Sequence, residues 1–519
     1  MSAAALTQSI PGALRTSASR QKMAAIPSLP QSITGNRGKA IVSANYKKGM
    51  LKTTVIYFIG QVSTRFLSIL LLPLYTNYIS SDAYGYFDIV QTYLSVAVPF
   101  FFFEVWSGML RFTLEQKEAE DKGRVITNST VVCGLGLIIF CVVFWTASLF
   151  IEIDYTPYVF AYAISWMLQL MAMAACRGLQ DNISYALTGV IGVFTVTGLS
   201  LLGVYIFHWG IETLFIANIV SFLVQTLFVV FRVGFFRYIH IRLIDRNTFK
   251  QLLKFCMPLS INTIFYWLLN SVNRIVIVNF LGYSANGIYS VANKLGNIIT
   301  ALVAIFMLSW QETIYKLEYK ENNEIQMIYD NEFKSIKSLL AIGVLCLLPF
   351  TNIFFDLLIG ADYAEAFGLI APIYLMVFIT SLNSFIDVVY SAVHDTRSLL
   401  YVKIIGGVVN VAVMLLLVKF IGLYASPIAI IMAQIAVLIA NKIFSRRYVR
   451  ITIGIRFILV FSLVFALSTF IYMTQGVLIN GLWLMLCGTS CLFILRKTLL
   501  QIFTLLKSRF KHAKDKEND

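Results

Sequence analysis

The sequence predicts an all-α integral membrane protein with 14 transmembrane helices, built as two six-helix lobes followed by two further helices. Three observations lead there. Apolar stretches long enough to cross a hydrocarbon core of roughly 30 Å, which takes about 20 helical residues, succeed one another from Leu51 to Leu495. Charged residues make up 13% of the 519 and hydrophobic ones 58%, against about 25% charged in an ordinary soluble domain. A short segment recurs six spans after its first appearance, at the same kind of turn.

The spans read as 53–76, 85–110, 125–150, 156–176, 184–207, 213–236, 257–280, 287–311, 336–356, 367–390, 398–419, 424–443, 456–474 and 479–495. They divide the chain into a basic tail (1–50), an N-lobe (51–243), a C-lobe (250–444), a closing helix pair (455–495) and a basic carboxy-terminal tail (496–519). The first tail has no Asp or Glu but carries Arg15, Arg20, Lys22, Arg37, Lys39, Lys47 and Lys48. Lacking an apolar core after its early charges, it is not a secretory signal. Its composition fits a disordered cytoplasmic tail, with an organelle transit peptide as the alternative.

Charge along the connections sets the orientation. Segments 78–84, 151–155, 208–212, 282–286, 357–366 and 474–480 hold no Lys or Arg; Lys419, at the end of the eleventh span, is the exception on that side. The alternate connections are basic, with Arg111, Lys117, Lys122 and Arg124 after the second span, Arg232, Arg237, Arg242 and Arg246 after the sixth, and Lys442, Arg446, Arg447 and Arg450 after the twelfth. By the positive-inside rule both termini are cytoplasmic, in a multi-pass protein of the cell membrane. The net charge of +15 is therefore a topology signal facing the bilayer, and no nucleic-acid partner is expected. The seven cysteines form no CxxC or Cys/His cluster, so neither a disulfide framework nor a metal site is indicated, and no cofactor is expected.

The repeat aligns residues 77–87 without gaps on 279–289, so that Asn77, Ala83 and Gly85 fall on Asn279, Ala285 and Gly287. Because six spans separate the copies, the halves share one orientation, which is a parallel repeat about an axis along the membrane normal. Transporters place substrate between such halves. The last two spans fall outside it.

Polar residues inside spans are costly, at least about 2.5–3.5 kcal/mol for a charge near the midplane. Gln61, Arg65 and Ser68 share one face of the first helix, and Asn262, Tyr266, Asn270 and Arg274 recur every fourth residue of the seventh, with Asn273 beside them. Asp88, Gln91 and Ser95 mark the second helix, and Ser290, Lys294 and Asn297 the eighth. Corresponding helices of both halves thus turn polar stripes towards a shared cavity. The candidate substrate-binding residues are Arg65, Arg274, Lys294, Asn262, Asn270, Asn273, Gln61 and Asp88. A bland alternative pairs Arg65 with Asp88 and Lys294 with a carbonyl, as locks in a helix bundle. The excess of Arg and Lys over Asp suits an anionic substrate, since guanidinium groups grip phosphate through charge-assisted hydrogen bonds. His394 beside Asp395 has no nucleophile nearby in the sequence and is not read as catalytic.

The run 65–76, continuing through Tyr84-Gly85, resembles the opening of Wzx-type oligosaccharide flippases. So do Pro258-Leu259-Ser260-Ile261-Asn262, Trp267, Asn273-Arg274, Gly287-Ile288-Tyr289 and Asn293-Lys294. The resemblance covers 51–495 and is to a family of polysaccharide biosynthesis proteins in the superfamily of lipid II flippases and multidrug extruders. It implies a MATE-like fold of two lobes working by alternating access. The implied substrate is a polyprenyl-pyrophosphate-linked oligosaccharide turned to the outer leaflet, with Arg65 and Arg274 neutralising its pyrophosphate. Spans 456–495 would then offer a groove for the lipid tail. Glycan polymerase and glycosyltransferases of the same pathway are the implied partners, and the coupling ion, H+ or Na+, is left open. Two alternatives stand beside this reading: a multidrug or cation antiporter of the same fold, and a membrane glycan polymerase or glycosyltransferase. The shortness of the connections that lack Lys and Arg weighs against the last.

Overall fold

The computed structural model describes residues 71–315, 322–393 and 395–490, all within one unit, Ile56–Asp519. Gln61, Arg65, His394, both basic tails and most of the first span lie outside the described residues, as does the side chain of Asn270. Among the described residues the regular structure is helical throughout.

The end of the first span is helix α1 (Leu72–Tyr78), opened by Pro73 in its first turn. The rest of the N-lobe is α2 (Ser81–Phe101), α3 (Val105–Glu115), α4 (Ala119–Ser148), α5 (Thr156–Gly178), α6 (Asn182–Tyr205) and α7 (Glu212–Val233). The C-lobe opens with a helical stretch, Arg246–Tyr315, interrupted at Gly282. Its two arms are α8 (246–281) and α9 (283–315). Then follow α10 (Asn322–Leu358), α11 (Ala366–Ala392), α12 (Thr396–Ile421) and α13 (Ala425–Phe444), and the closing pair α14 (Ile455–Thr474) and α15 (Val477–Ser490). Each expected span from the second to the fourteenth therefore has its helix. By length and apolarity alone nine stretches qualify among the described residues: Ser271–Thr300 and Arg397–Arg447 each take in parts of two expected spans, the second span is bent, and Val477–Ser490 is short.

Two expectations need correction in detail. The second span, expected as one helix over 85–110, is a pair bent by 52° at 102–104. Pro99 removes a backbone donor just before the break, and Phe103 and Glu104 stand in the left-handed region at φ 55 and 48, which non-glycine residues enter only at a cost. The ninth span, expected to begin at 336, begins as helix at Asn322. Packing rather than apolarity extends it, since Tyr329 and Phe333 stack around Trp310 and Phe385.

Burial sorts the helices. In α11, 72% of the most apolar window is buried, against 17% in α14, so α11 is the axis of the C-lobe and α14 is peripheral. The latter is held by one edge: Tyr472 stacks on Phe367 at 4.3 Å and Phe461 on Phe378 at 4.4 Å. Its opposite face, with Leu459, Leu463, Leu467 and Phe470, is exposed, as a lipid-facing surface has to be.

The halves meet where the sequence repeat lies. A Cβ on Gly85 would stand 1.8 Å from the carbonyl oxygen of Tyr283, and one on Gly287 would stand 2.0 Å from that of Ser81. Gly85 and Gly287 are equivalent in the repeat, and so are Ser81 and Tyr283. The two contacts are the same contact seen from either side of a two-fold axis, and only glycine lets the backbones of α2 and α9 approach so closely. The surrounding seam carries Ser81 Oγ to Ser284 Oγ at 2.7 Å, Ser81 N donating to Asp362 Oδ2 at 2.6 Å and Tyr363 OH donating to Ile79 O at 2.9 Å. The lobes are closed against one another along the face of the connections that lack Lys and Arg.

Candidate functional site

Just inside that seam a polar cluster joins the lobes. Asp88 is buried on α2, one turn below Gly85. Its Oδ1 accepts from Ser290 Oγ at 2.7 Å, and its Oδ2 accepts from Asn286 Nδ2 at 3.2 Å and faces Arg274 Nε at 3.3 Å. All three partners come from the other lobe. Ser290 is the repeat equivalent of Asp88, so this too is a self-meeting of equivalent positions at the axis, in which one half supplies a carboxylate and the other a hydroxyl.

Thr92, a turn further along α2, fixes the arginine. Its Oγ1 donates to the Asp88 carbonyl at 2.9 Å and accepts from Arg274 Nη1 at 3.2 Å, while its own carbonyl accepts from Trp267 Nε1 at 2.6 Å. Lys294 on α9 lies over the rings of Tyr84 (4.8 Å) and Tyr75 (5.7 Å). Tyr75 is in turn anchored by Ser200 Oγ at 2.8 Å. A desolvated ammonium over aromatic faces gains up to about 2 kcal/mol. Two cations against one carboxylate leave this cluster with an excess of one positive charge. Arg274 keeps about a third of its side chain exposed and Asp88 about a tenth (34% and 11%), so the guanidinium is the partner that solvent or a ligand can reach.

Asp88, Arg274 and Lys294 are thus brought together. Asn273 is not: it turns into the C-lobe, 3% exposed, donating to Ser426 Oγ at 2.9 Å and accepting from Asn410 Nδ2 at 2.8 Å. It fastens α8 to α12 and α13. Asn262 is exposed on α8, 12 residues before Arg274, outside the cluster. Gln91 points into its own lobe and donates to Tyr162 OH at 2.7 Å. The bland pairing of Arg65 with Asp88 lies outside the described residues; among these, Asp88 meets Arg274, and Lys294 lies over two rings.

Sequence reasoning did not single out Thr92, Asn286, Tyr75, Tyr84 or Glu104. Tyr75 and Tyr84 look like interface aromatics, and their role shows only once Lys294 crosses the axis. Glu104 falls near the end of the expected second span, 85–110, and stands at the helix break, where its Oε2 accepts from Thr263 Oγ1 of α8 at 2.7 Å and its Oε1 from Ser107 Oγ at 3.2 Å. Pro99 was the available signal.

The fold and the cluster define a polytopic α-helical protein with two lobes related by a parallel repeat and a polar, net-cationic junction between them. Residues 50–310, just over half of the 519, match the family described as polysaccharide biosynthesis protein. The chain belongs to that family. No curated protein matches it. Among solved structures, the lipid II flippase MurJ in an inward closed conformation is similar with TM-score 0.59 and 17% identity, covering 86% of this chain and 100% of that one. An inward-facing multidrug-resistance MATE family transporter of the MOP superfamily gives TM-score 0.59 at 15% identity, with 75% and 98% covered. The Vibrio cholerae MATE transporter VcmN gives 0.51 at 13%, with 78% and 98% covered. At such identities the likeness establishes the fold, and the fold is MATE-like.

Proposed function

We propose that the protein is a flippase that turns polyprenyl-pyrophosphate-linked oligosaccharide units from the cytoplasmic to the outer leaflet for cell-surface polysaccharide synthesis. The observation that carries this reading is the Arg274–Asp88 pair. It holds the two lobes together with a guanidinium that a phosphate can also bind, in a member of a polysaccharide biosynthesis family. By the positive-inside rule the closed seam is the outer face and the basic connections are cytoplasmic.

On this reading, a pyrophosphate entering between the lobes competes with Asp88 for Arg274, offering more charge and bidentate geometry. Lys294 supplies a second cation one helix away. Transfer of Arg274 to the substrate leaves Asp88 with neutral donors only and weakens the seam. Breaking a buried pair is worth roughly 3–5 kcal/mol, with the lower end appropriate to a partly exposed arginine. About 3 kcal/mol shifts a two-state equilibrium some 150-fold, enough to couple binding to opening. The lipid tail is assigned to the exposed apolar face of α14 and α15. Polymerase and glycosyltransferases of the same pathway are the expected partners.

Surface glycan measured in cells lacking the native gene tests the proposal. Complementation with wild type restores glycan, and Arg274→Gln or Lys294→Gln at equal protein level does not. Full glycan export by both variants, or drug resistance without any export by the wild type, would remove the proposal in favour of an antiporter.

A further inference from the structure

A second cationic site lies at the far end of the C-lobe, where α12 begins and α13 ends. An open pocket of about 730 Å³ is lined there by Asp395, Arg397, Ser398, Tyr401, Ile443 and Phe444, together with Arg446 and Arg447. Gly406 lets α12 and α13 press together deeper in the bundle, where a Cβ would meet Val437 Cγ2 at 2.6 Å. The helices therefore form a stiff hairpin, and the pocket is the gap at its open end.

The charges are unevenly committed. Asp395 caps α12 by accepting from Ser398 N at 3.2 Å, and it also holds Arg447 and the hydroxyl of Tyr448, the latter at 3.1 Å. Its single negative charge is thus consumed by Arg447. Arg397 and Arg446 are exposed and have no acidic partner among the described residues. The helix start does not require Arg397. Asp181 caps α6 in the N-lobe in the same way, through Ser184 N at 3.0 Å, and the residue two after that cap is the exposed Ile183. Directly beyond the pocket, exposed apolar stripes run along both helices: Tyr401, Ile405 and Val408 on α12, and Ile443 and Ile439 on α13. Two unpaired guanidinium groups at the head of two apolar stripes match a molecule with an anionic head and hydrocarbon tails, and basic pockets between membrane helices bind such headgroups.

We propose that this pocket binds one anionic phospholipid, its phosphodiester held by Arg397 and Arg446 and its acyl chains laid along α12 and α13. The site is separate from the junction at Asp88, and it stands whether or not the flippase reading does.

Native mass spectrometry of the full-length protein in detergent, with phosphatidylglycerol or phosphatidylcholine added, tests this. The expected result is one phosphatidylglycerol retained at least ten-fold more strongly than phosphatidylcholine. That preference falls to near unity in Arg397→Gln/Arg446→Gln and persists in the control Lys442→Gln. Millimolar inorganic phosphate should leave the lipid in place. Equal retention of the two lipids, an unchanged preference in the double variant, or displacement by inorganic phosphate would each overturn the assignment, the last by marking a site for free anions. Arg447 is left intact so that its tie to Asp395 keeps the cap, and each single variant, Arg397→Gln and Arg446→Gln, should lose part of the preference if the double variant does not fold.

Discussion

Replacing Gly85 by alanine places a methyl group 1.8 Å from the Tyr283 carbonyl oxygen, where ordinary contact begins at 3.4 Å. The seam must open by about 1.6 Å, the difference of those distances, and both sides of the contact are backbone, so no side chain can rotate away. Gly287→Ala meets the Ser81 carbonyl at 2.0 Å and needs about 1.4 Å by the same subtraction. Overpacking of this kind costs roughly 1–3 kcal/mol, which moves an equilibrium between closed and open lobes about 5- to 150-fold. The axis predicts similar effects from the two substitutions, although they sit in different lobes. The readout is a disulfide between Ser81→Cys and Ser284→Cys, whose hydroxyl oxygens lie 2.7 Å apart, in a background with the native cysteines replaced. Crosslinking should slow at least five-fold in both glycine variants. Parent-like crosslinking in both, or a change in only one, refutes the argument from the axis.

Asp88→Asn should weaken the seam and leave Arg274 without its carboxylate. With Arg274→Gln, a double-variant cycle read by thermal stability should give a coupling of about 1–3 kcal/mol, and a value near zero would show that the pair does not hold the lobes. Asn273→Ala should destabilise the protein by about 1–3 kcal/mol by stripping Asn410 of its acceptor, while the folded fraction transports normally. A transport defect at unchanged stability would return Asn273 to the substrate path. Single cysteines at Ala361, Ala364 or Glu365, all exposed, should react with an impermeant thiol reagent from outside intact cells, and single cysteines in 235–245 should not; the reverse pattern would invert the orientation. Finally, the Ser398 hydroxyl holds the Asp395 carboxyl below its ordinary value of 3.8. A lowered carboxyl stabilises above its unfolded value and loses that contribution as pH falls through the folded one. The thermal difference between wild type and Asp395→Asn should therefore be flat near neutrality and shrink only in acid below 3.8.

The fold class was legible because span length and charge deficit are properties of each segment alone. The match of 77–87 with 279–289 was legible because a backbone contact as close as that of Gly85 and Gly287 leaves few choices of residue. Pairing was harder to read. Which cation meets Asp88 depends on where α8 crosses α2, and four-residue spacing gives the face of a helix without naming what that face meets. Asn273 illustrates this, one residue from Arg274 and turned about 100° around the helix into a dry network. The break at 102–104 was half visible in Pro99, but the left-handed Phe103 and Glu104 have no compositional mark.

Positions that meet their own counterparts obey a rule the rest of the duplication escapes. If both halves carried aspartate where Asp88 touches Ser290, two like charges would confront each other at hydrogen-bonding range. If both carried serine, Arg274 would face the junction with no counter-charge. Neither of these matched choices serves Arg274, so the copies differ at 88 and 290, whereas at 85 and 287 the close approach requires glycine in both. The polarity of the molecule, with cations on one side and their anchor on the other, begins at a locus where sameness is forbidden.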